Sequence, residues 1–245
     1  MKFGHPLELL VRSLELQTVL SREDRDAVRA LPYTLRTLDP LSYLVREGEK
    51  PDKCPILVAG FAYRQKMTAE GKRQIVAIHT PGDALDFQNL FLDVADHNVQ
   101  MLTRGEVAFV KRKDMQELSF SSRKIAEAMF VKTLIEAAIL REWVVNVGRR
   151  KAPERIAHVL CELGARLKSM GLTGEYRYEL PMTQEELGDA VGLTPVHVNR
   201  TLKLLSEEGL ITREKRSIGF PDWERLCDYA DFVDRYLHLD ARVSS

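Results

Sequence analysis

Five residues within one short stretch, Val196, His197, Asn199, Arg200 and Lys203, carry side-chain chemistry that suits a DNA major groove. Arg200 can bond a guanine edge bidentately, Asn199 or His197 can reach a base edge or a phosphate, and Val196 can touch a thymine methyl. Lys203, further along, is placed for backbone phosphate. Charged residues on an exposed helix face are most often merely solvated, and residues 150–225 carry as many acids as bases. The local elements must therefore decide the matter.

Those elements are legible. Thr183-Gln184-Glu185-Glu186 has the Thr-x-x-Glu spacing of a capping box, in which hydroxyl and carboxylate satisfy each other's backbone N–H groups. Leu187, Ala190 and Val191 follow on one side, and Gly192 supplies a turn. Thr194 then caps a second helix with Pro195 in its first position, where a missing N–H costs nothing. That helix runs to about Glu208 and stops at Gly209. Val198, Leu202 and Leu205 form its buried side, leaving Thr194, Val196, His197, Asn199, Arg200 and Lys203 outward. Two capped helices joined by a short glycine turn form a helix-turn-helix. Leu210–Phe220 continues as two short strands around a charged tip, a wing offering Arg213, Lys215 and Arg216 to phosphate.

The 245 residues exceed a typical single domain, so two domains with a connector are expected. The 36 basic and 36 acidic residues cancel, so a nucleic-acid partner rests on the local motif and not on bulk charge. No apolar run approaches a membrane span, and the Met1–Leu10 stretch lacks a signal-peptide core; a cytoplasmic protein is expected. No nucleophile–base arrangement, phosphate loop or paired-carboxylate motif points to an enzyme.

Upstream, helical residues 7–31, with Ser21 as a cap, precede strand-like runs at Tyr33–Leu38, Tyr43–Arg46, Ile56–Gln65, Gln74–His79, Val99–Thr103 and Val107–Lys111. Turn signals between them, including Gly71 and Pro81-Gly82-Asp83, suggest an antiparallel barrel or roll. A long helix is expected over Phe120–Val147, capped by Ser121 or Ser122. Its apolar positions cover more than one stripe, so one face can lie on the roll and another can meet a second copy of itself. Ile125, Met129, Leu134, Ile135, Ala138 and Ile139 are the expected homodimer seam, with burial inside one large domain as the alternative. The fold class expected is α+β: an antiparallel β-roll over 1–117, a dimerisation and linker helix over 118–150, a winged helix-turn-helix over 151–225, and a helical extension over 226–245.

The run from Leu187 to Leu202, then Glu208-Gly209-Leu210-Ile211 and Asp222-Trp223-Glu224-Arg225-Leu226, strongly resembles bacterial regulators of the cyclic AMP receptor protein / fumarate-nitrate-reduction regulator (CRP/FNR) family. The resemblance implies a cyclic-nucleotide-binding-like roll and a homodimeric transcription factor on a near-palindromic operator, with RNA polymerase as a further partner. It also implies where a cyclic-nucleotide cassette would lie, after a Pro-Gly-Asp-like turn, with a Glu for the ribose and an Arg for the phosphate. Here Phe87 or its neighbours stand in place of the glutamate and Ala95–His97 in place of the arginine. No Lys or Arg occurs between Arg73 and Arg104, while Asp83, Asp86, Asp93 and Asp96 do. Cyclic AMP binding in the usual manner is not expected.

Cys54, Cys161 and Cys227 fall in three segments and make no iron–sulfur set, and His79 and His97 give no convincing haem signature. No two histidines lie at zinc-ligand spacing. No cofactor is expected. A ligand-binding or protein-adaptor module that no longer reads DNA stands as the alternative.

Overall fold

The computed structural model describes residues 4–174 and 177–239. Within them the chain divides into two compact units, one of residues 4–66, 77–137 and 238–239, the other of residues 67–76 and 138–237.

The first unit opens with α1 (Glu8–Glu15) and α2 (Arg22–Arg29). Ser21 caps α2 in a full capping box with Asp24. The strands follow as β1 (Tyr33–Leu38), β2 (Tyr43–Val45), β3 (Lys53–Ala59), β4 (Ala62–Met67), β5 (Arg73–His79), β6 (Asn98–Met101) and β7 (Gly105–Lys111). They form a three-stranded sheet, β1-β7-β3, and a four-stranded sheet, β2-β6-β4-β5. The expected single run Ile56–Gln65 is in fact two strands, because Gly60 sits at φ +84° and turns the chain between them. Residues 67–76, the tip of the β4–β5 hairpin, cluster with the second unit.

Strand alternation divides the apolar residues between two cores. On β7, Val107 and Phe109 face a core inside the roll with Leu57, Leu85, Val99 and Met101. Ala108 and Val110 face the other way, onto Leu10, Leu14, Val28, Ile56, Met115 and Ile125. Each such fully buried aliphatic side chain contributes roughly 1.5–3 kcal/mol, which is what holds the helices on the sheet.

The long helix starts from one of its two expected caps, Ser122. α3 (Arg112–Ser121) ends where Ser122 adopts extended backbone, and α4 (Arg123–Arg149) starts there. Ser122 Oγ accepts the Ile125 N–H and donates to Asp24, so the cap also ties α4 to α2. Phe120 and Ser121 thus belong to α3. α4 passes through both units, with residues to 137 in the first and from 138 in the second.

The second unit continues with α5 (Ala152–Ser169), β8 (Arg177–Glu179), α6 (Gln184–Val191), α7 (Pro195–Glu207), β9 (Thr212–Glu214), β10 (Ser217–Gly219) and α8 (Trp223–Tyr229). The three strands pair antiparallel in the order β8-β10-β9. A short 3-10 turn, Asp234–Leu237, follows, and Phe232 and Leu237 are buried; of the expected C-terminal helix, residues 240–245 lie outside the described residues.

Gly188 sets the angle between α6 and α7. A Cβ there would lie 2.5 Å from the Leu193 carbonyl oxygen, whose own N–H donates to the Gly188 carbonyl at 3.0 Å. Here the turn meets the helix backbone to backbone, with the Val198 side chain beside them. Gly188→Ala is therefore expected to lower unfolding stability by about 1–3 kcal/mol, the usual cost of forced overpacking. Urea unfolding followed by circular dichroism checks this; an unchanged midpoint would show that the turn yields freely.

Candidate nucleic-acid interface

The helix-turn-helix is assembled by the interactions its sequence announces. Thr183 Oγ1 accepts the Glu186 N–H, and the Glu186 carboxylate accepts the Thr183 N–H at 2.8 Å. Gly192 closes α6 in the left-handed conformation at φ +69°. Thr194 Oγ1 accepts the His197 N–H at 3.3 Å. Each cap is worth about 1 kcal/mol and fixes where its helix begins.

Val198, Leu202 and Leu205 are buried, as are Leu187, Ala190 and Val191 on α6. That burial settles which way α7 faces. Thr194, Val196, His197, Asn199, Arg200 and Lys203 all remain exposed, Val196 at 80%. Among the described residues, the side chains of Asn199 and Arg200 have no protein partner, so nothing competes with an external acceptor or donor. Lys203 pairs only with exposed Glu207, at 3.4 Å, an interaction of at most about 1 kcal/mol. The helix has no acid in its first turn, so its N-terminal half offers no repulsion to phosphate.

The wing places Arg213, Lys215 and Arg216 in the open as well. Lys215 takes φ +57° at the tip between β9 and β10. A cleft of about 80 Å³ runs between wing and helices, lined by Thr183, Gln184, Arg213, Lys215 and Arg216 among others. Arg216 stands 3.8 Å from exposed Glu179, so the wing, like α7, offers its cations at the surface with only weak pairing.

The expected dimer residues are distributed differently from the sequence reading. Ile125, Met129, Ile135 and Ala138 are buried within the chain itself, so they have little surface left for a second copy. Ile139 is half-buried and Leu134 is open. The exposed large apolar residues of α4 are Phe130, Leu134, Leu140, Val144 and Val145. Periodicity alone gave several stripes and could not say which one the chain covers.

A second polar cluster lies inside the first unit. Asp86 is buried, its two oxygens both 2.8 Å from the Asn89 amide nitrogen, and His97 Nε2 stands 3.7 Å from it. His97 Nδ1 lies 2.6 Å from Asp96. Tyr63 donates to Gln100 at 3.0 Å, and Gln65 does so at 2.7 Å. Arg64 reaches the Leu85 carbonyl and Glu136 of α4, while Lys132 stands 3.8 Å from buried Asp83. Sequence reading missed Arg64, Lys132 and Glu136, because the basic residue was sought only between Arg73 and Arg104. Nothing local marks them. They come from another strand and from α4.

Burial raises the Asp86 carboxyl to about 6, against the opposing pull of Asn89 and Arg64. His97 is held below the usual imidazole range, first by burial and then by Arg64. His79 is also buried. Among the described residues no group of three His, Cys, Asp or Glu side chains could hold a metal ion.

Comparison with known proteins agrees with this architecture. Residues 35–122 match the family model described as a cyclic nucleotide-binding domain, and residues 154–229 match the Crp-like helix-turn-helix domain. The transcriptional activator protein FnrL of Cereibacter sphaeroides is 28% identical over 209 residues, spanning 80% of this chain and 84% of that one. The nitrogen fixation regulation protein FixK of Rhizobium meliloti is 28% identical over 80% of this chain and 86% of its own. The structure of FixK2 from Bradyrhizobium japonicum superposes with a TM-score of 0.73 at 25% identity, over 81% of this chain and 98% of that one. The protein is a DNA-binding transcription regulator. It belongs to the CRP/FNR family.

Asp86 supplies a test of the roll cluster. Its folded carboxyl titrates near 6, above the roughly 3.9 of an unfolded aspartate, so the folded chain binds this proton more tightly. Stability from this group is present below about pH 4 and lost as pH rises through 6, by about 3 kcal/mol. Asp86→Asn removes the ionisation. Relative to the parent, its unfolding free energy should therefore rise by about 2 kcal/mol between pH 4 and pH 7 in urea titrations. A difference that stays flat would mean that Asp86 is freely solvated.

Proposed function

We propose that the protein acts as a homodimer that reads a near-palindromic duplex through α7 of each copy, without cyclic AMP. The observation carrying this reading is the open face of α7, where, among the described residues, Arg200 and Asn199 stand exposed without a protein partner on a helix capped by Thr194. Arg200 takes a guanine edge, Asn199 and His197 a base edge or phosphate, and Val196 a thymine methyl. Thr194, Lys203, Arg213, Lys215 and Arg216 take backbone phosphate and set the register. Two such helices enter successive major grooves about 34 Å apart.

The second copy is proposed to meet α4 along Phe130, Leu134 and Val144, flanked by Leu140 and Val145. Phe130, Leu134, Ala137, Arg141, Val144 and Gly148 follow a four–three spacing, the seam of a two-stranded coiled coil. Exposing such a stripe to water is costly, and pairing removes the cost. The relatives named as transcriptional activators support contact with RNA polymerase as well. The reading makes the protein cytoplasmic and assigns it no catalysis.

For the roll, the chemistry argues against the usual cyclic nucleotide. Asp83 and Asp86 are buried, Asp96 pairs with His97 beside them, and the cations Arg64 and Lys132 face Glu136 and Asp83. An entering phosphate would have to displace carboxylates from the same cations. No iron–sulfur or haem group is assigned.

Selection of duplexes from a random library by the purified protein, then titration at two salt concentrations, tests the reading directly. A palindrome bound with steeply falling affinity as salt rises is expected. Arg200→Ala should weaken the selected duplex by about 1–3 kcal/mol, with the dimer intact. Leu134→Glu should yield monomers by sedimentation. Cyclic AMP should leave affinity unchanged; a gain of about tenfold, ~1.4 kcal/mol, would overturn that part.

A further inference from the structure

We propose that Cys161 and Cys227 form a dithiol that a hydroperoxide converts into a disulfide between α5 and α8, a covalent switch inside the DNA-binding unit. The two residues are far apart in sequence, yet the fold brings them together. Each thiol lies close enough to shift the ionisation of the other. α5 and α8 approach within 8 Å between Cα atoms. One helical turn further along the same contact, Gly164 of α5 meets Trp223 of α8, and a Cβ on Gly164 would stand 3.2 Å from the indole. Cys161 and Gly164 share a face of α5, and Cys227 and Trp223 share a face of α8. The missing side chain at Gly164 lets α8 approach α5 along the faces that carry the two cysteines.

Accessibility assigns the roles. Cys161 is buried, whereas Cys227 is partly exposed to solvent. The neighbouring Cys161 thiol holds the Cys227 thiol below its usual range, against its own burial and the nearby charges of Asp228, Asp234 and Glu224. Burial, followed by the Cys227 contact, pushes Cys161 up. Cys227 is therefore the attacking sulfur and Cys161 the resolving one.

The chemistry balances. The Cys227 thiolate attacks the outer oxygen of ROOH; an S–O bond forms, the O–O bond breaks, and RO⁻ leaves and takes up the thiol proton. The hydroperoxide is reduced by two electrons and Cys227 becomes a sulfenic acid. The Cys161 sulfur then attacks Cys227, forming S–S and breaking S–O, and the hydroxyl leaves as water with the Cys161 proton. The third cysteine, Cys54, is buried in the first unit and takes no part.

The bond reaches the reading helix through one short path. Arg225 of α8, two residues before Cys227, donates to the Glu208 carbonyl, the C-cap of α7, at 3.2 Å. Drawing α8 toward α5 shifts that anchor.

The test treats the reduced, full-length protein with tert-butyl hydroperoxide and maps its peptides. A loss of about 2 Da, with one linked pair spanning Cys161 and Cys227 that a reductant separates, is expected. Cys227→Ser should abolish the link, and Cys54→Ala should leave it. Stepwise gain of oxygen at Cys227 without a link, or no reaction while the folded protein is intact, would overturn the proposal. Oxidation should also change affinity for the selected duplex by about fivefold or more, the usual lower range for coupled sites. A formed bond with unchanged affinity would overturn the switch while leaving the site. Peptide mapping does not depend on DNA binding, so the two failures are distinguishable.

Discussion

A helix has one circumference, and α4 must divide it among several demands over 27 residues. Its first turns bury Ile125, Ala128 and Met129 in the core that joins helices to sheet. Lys132 and Glu136 bring charge to the polar cluster of the roll. In the second unit Trp143 is buried with its indole N–H on Glu162, and Asn146 donates to the Arg155 carbonyl. What remains is an apolar stripe that the described residues leave exposed. Each face is defined only because the others are already taken, and no Gly or Pro interrupts the helix before Gly148.

The DNA-reading end was legible in the sequence because its signals are local. A Thr-x-x-Glu box, a Thr-Pro start and a left-handed Gly192 each act within four residues, so spacing alone identifies them. The inward set Val198, Leu202 and Leu205 then fixed which residues of α7 face out. The role of Gly188 was not visible, because it depends on how closely the Leu193 carbonyl approaches. The same limit hid Gly60, embedded in an apolar run that reads as continuous strand. On α4 the apolar period was visible, but which stripe stays open depends on partners remote in sequence. The contact of Cys161 with Cys227 is remote in the same way.

The roll separates the residues that build its frame from those that fill its polar interior. The two sheets and their alternating cores need only β-branched and aliphatic residues in register. The polar interior is free of that requirement, and here it holds aspartates, histidines and amides, several of them hydrogen-bonded to one another. Hydrogen bonds between buried neighbours offset their desolvation only as a set, so such a cluster resists piecemeal change.

The chain has two tryptophans, and both stand at joints of the second unit. Trp143 is buried with its N–H on a carboxylate that also accepts from Tyr236, at 2.8 Å. Trp223 stacks edge-on with Phe220 and Phe232, beside the close approach of α5 and α8. Indole emission responds to neighbouring charge and to packing. The protein therefore carries two built-in optical reporters, one where the long helix meets the DNA-binding unit and one under the wing.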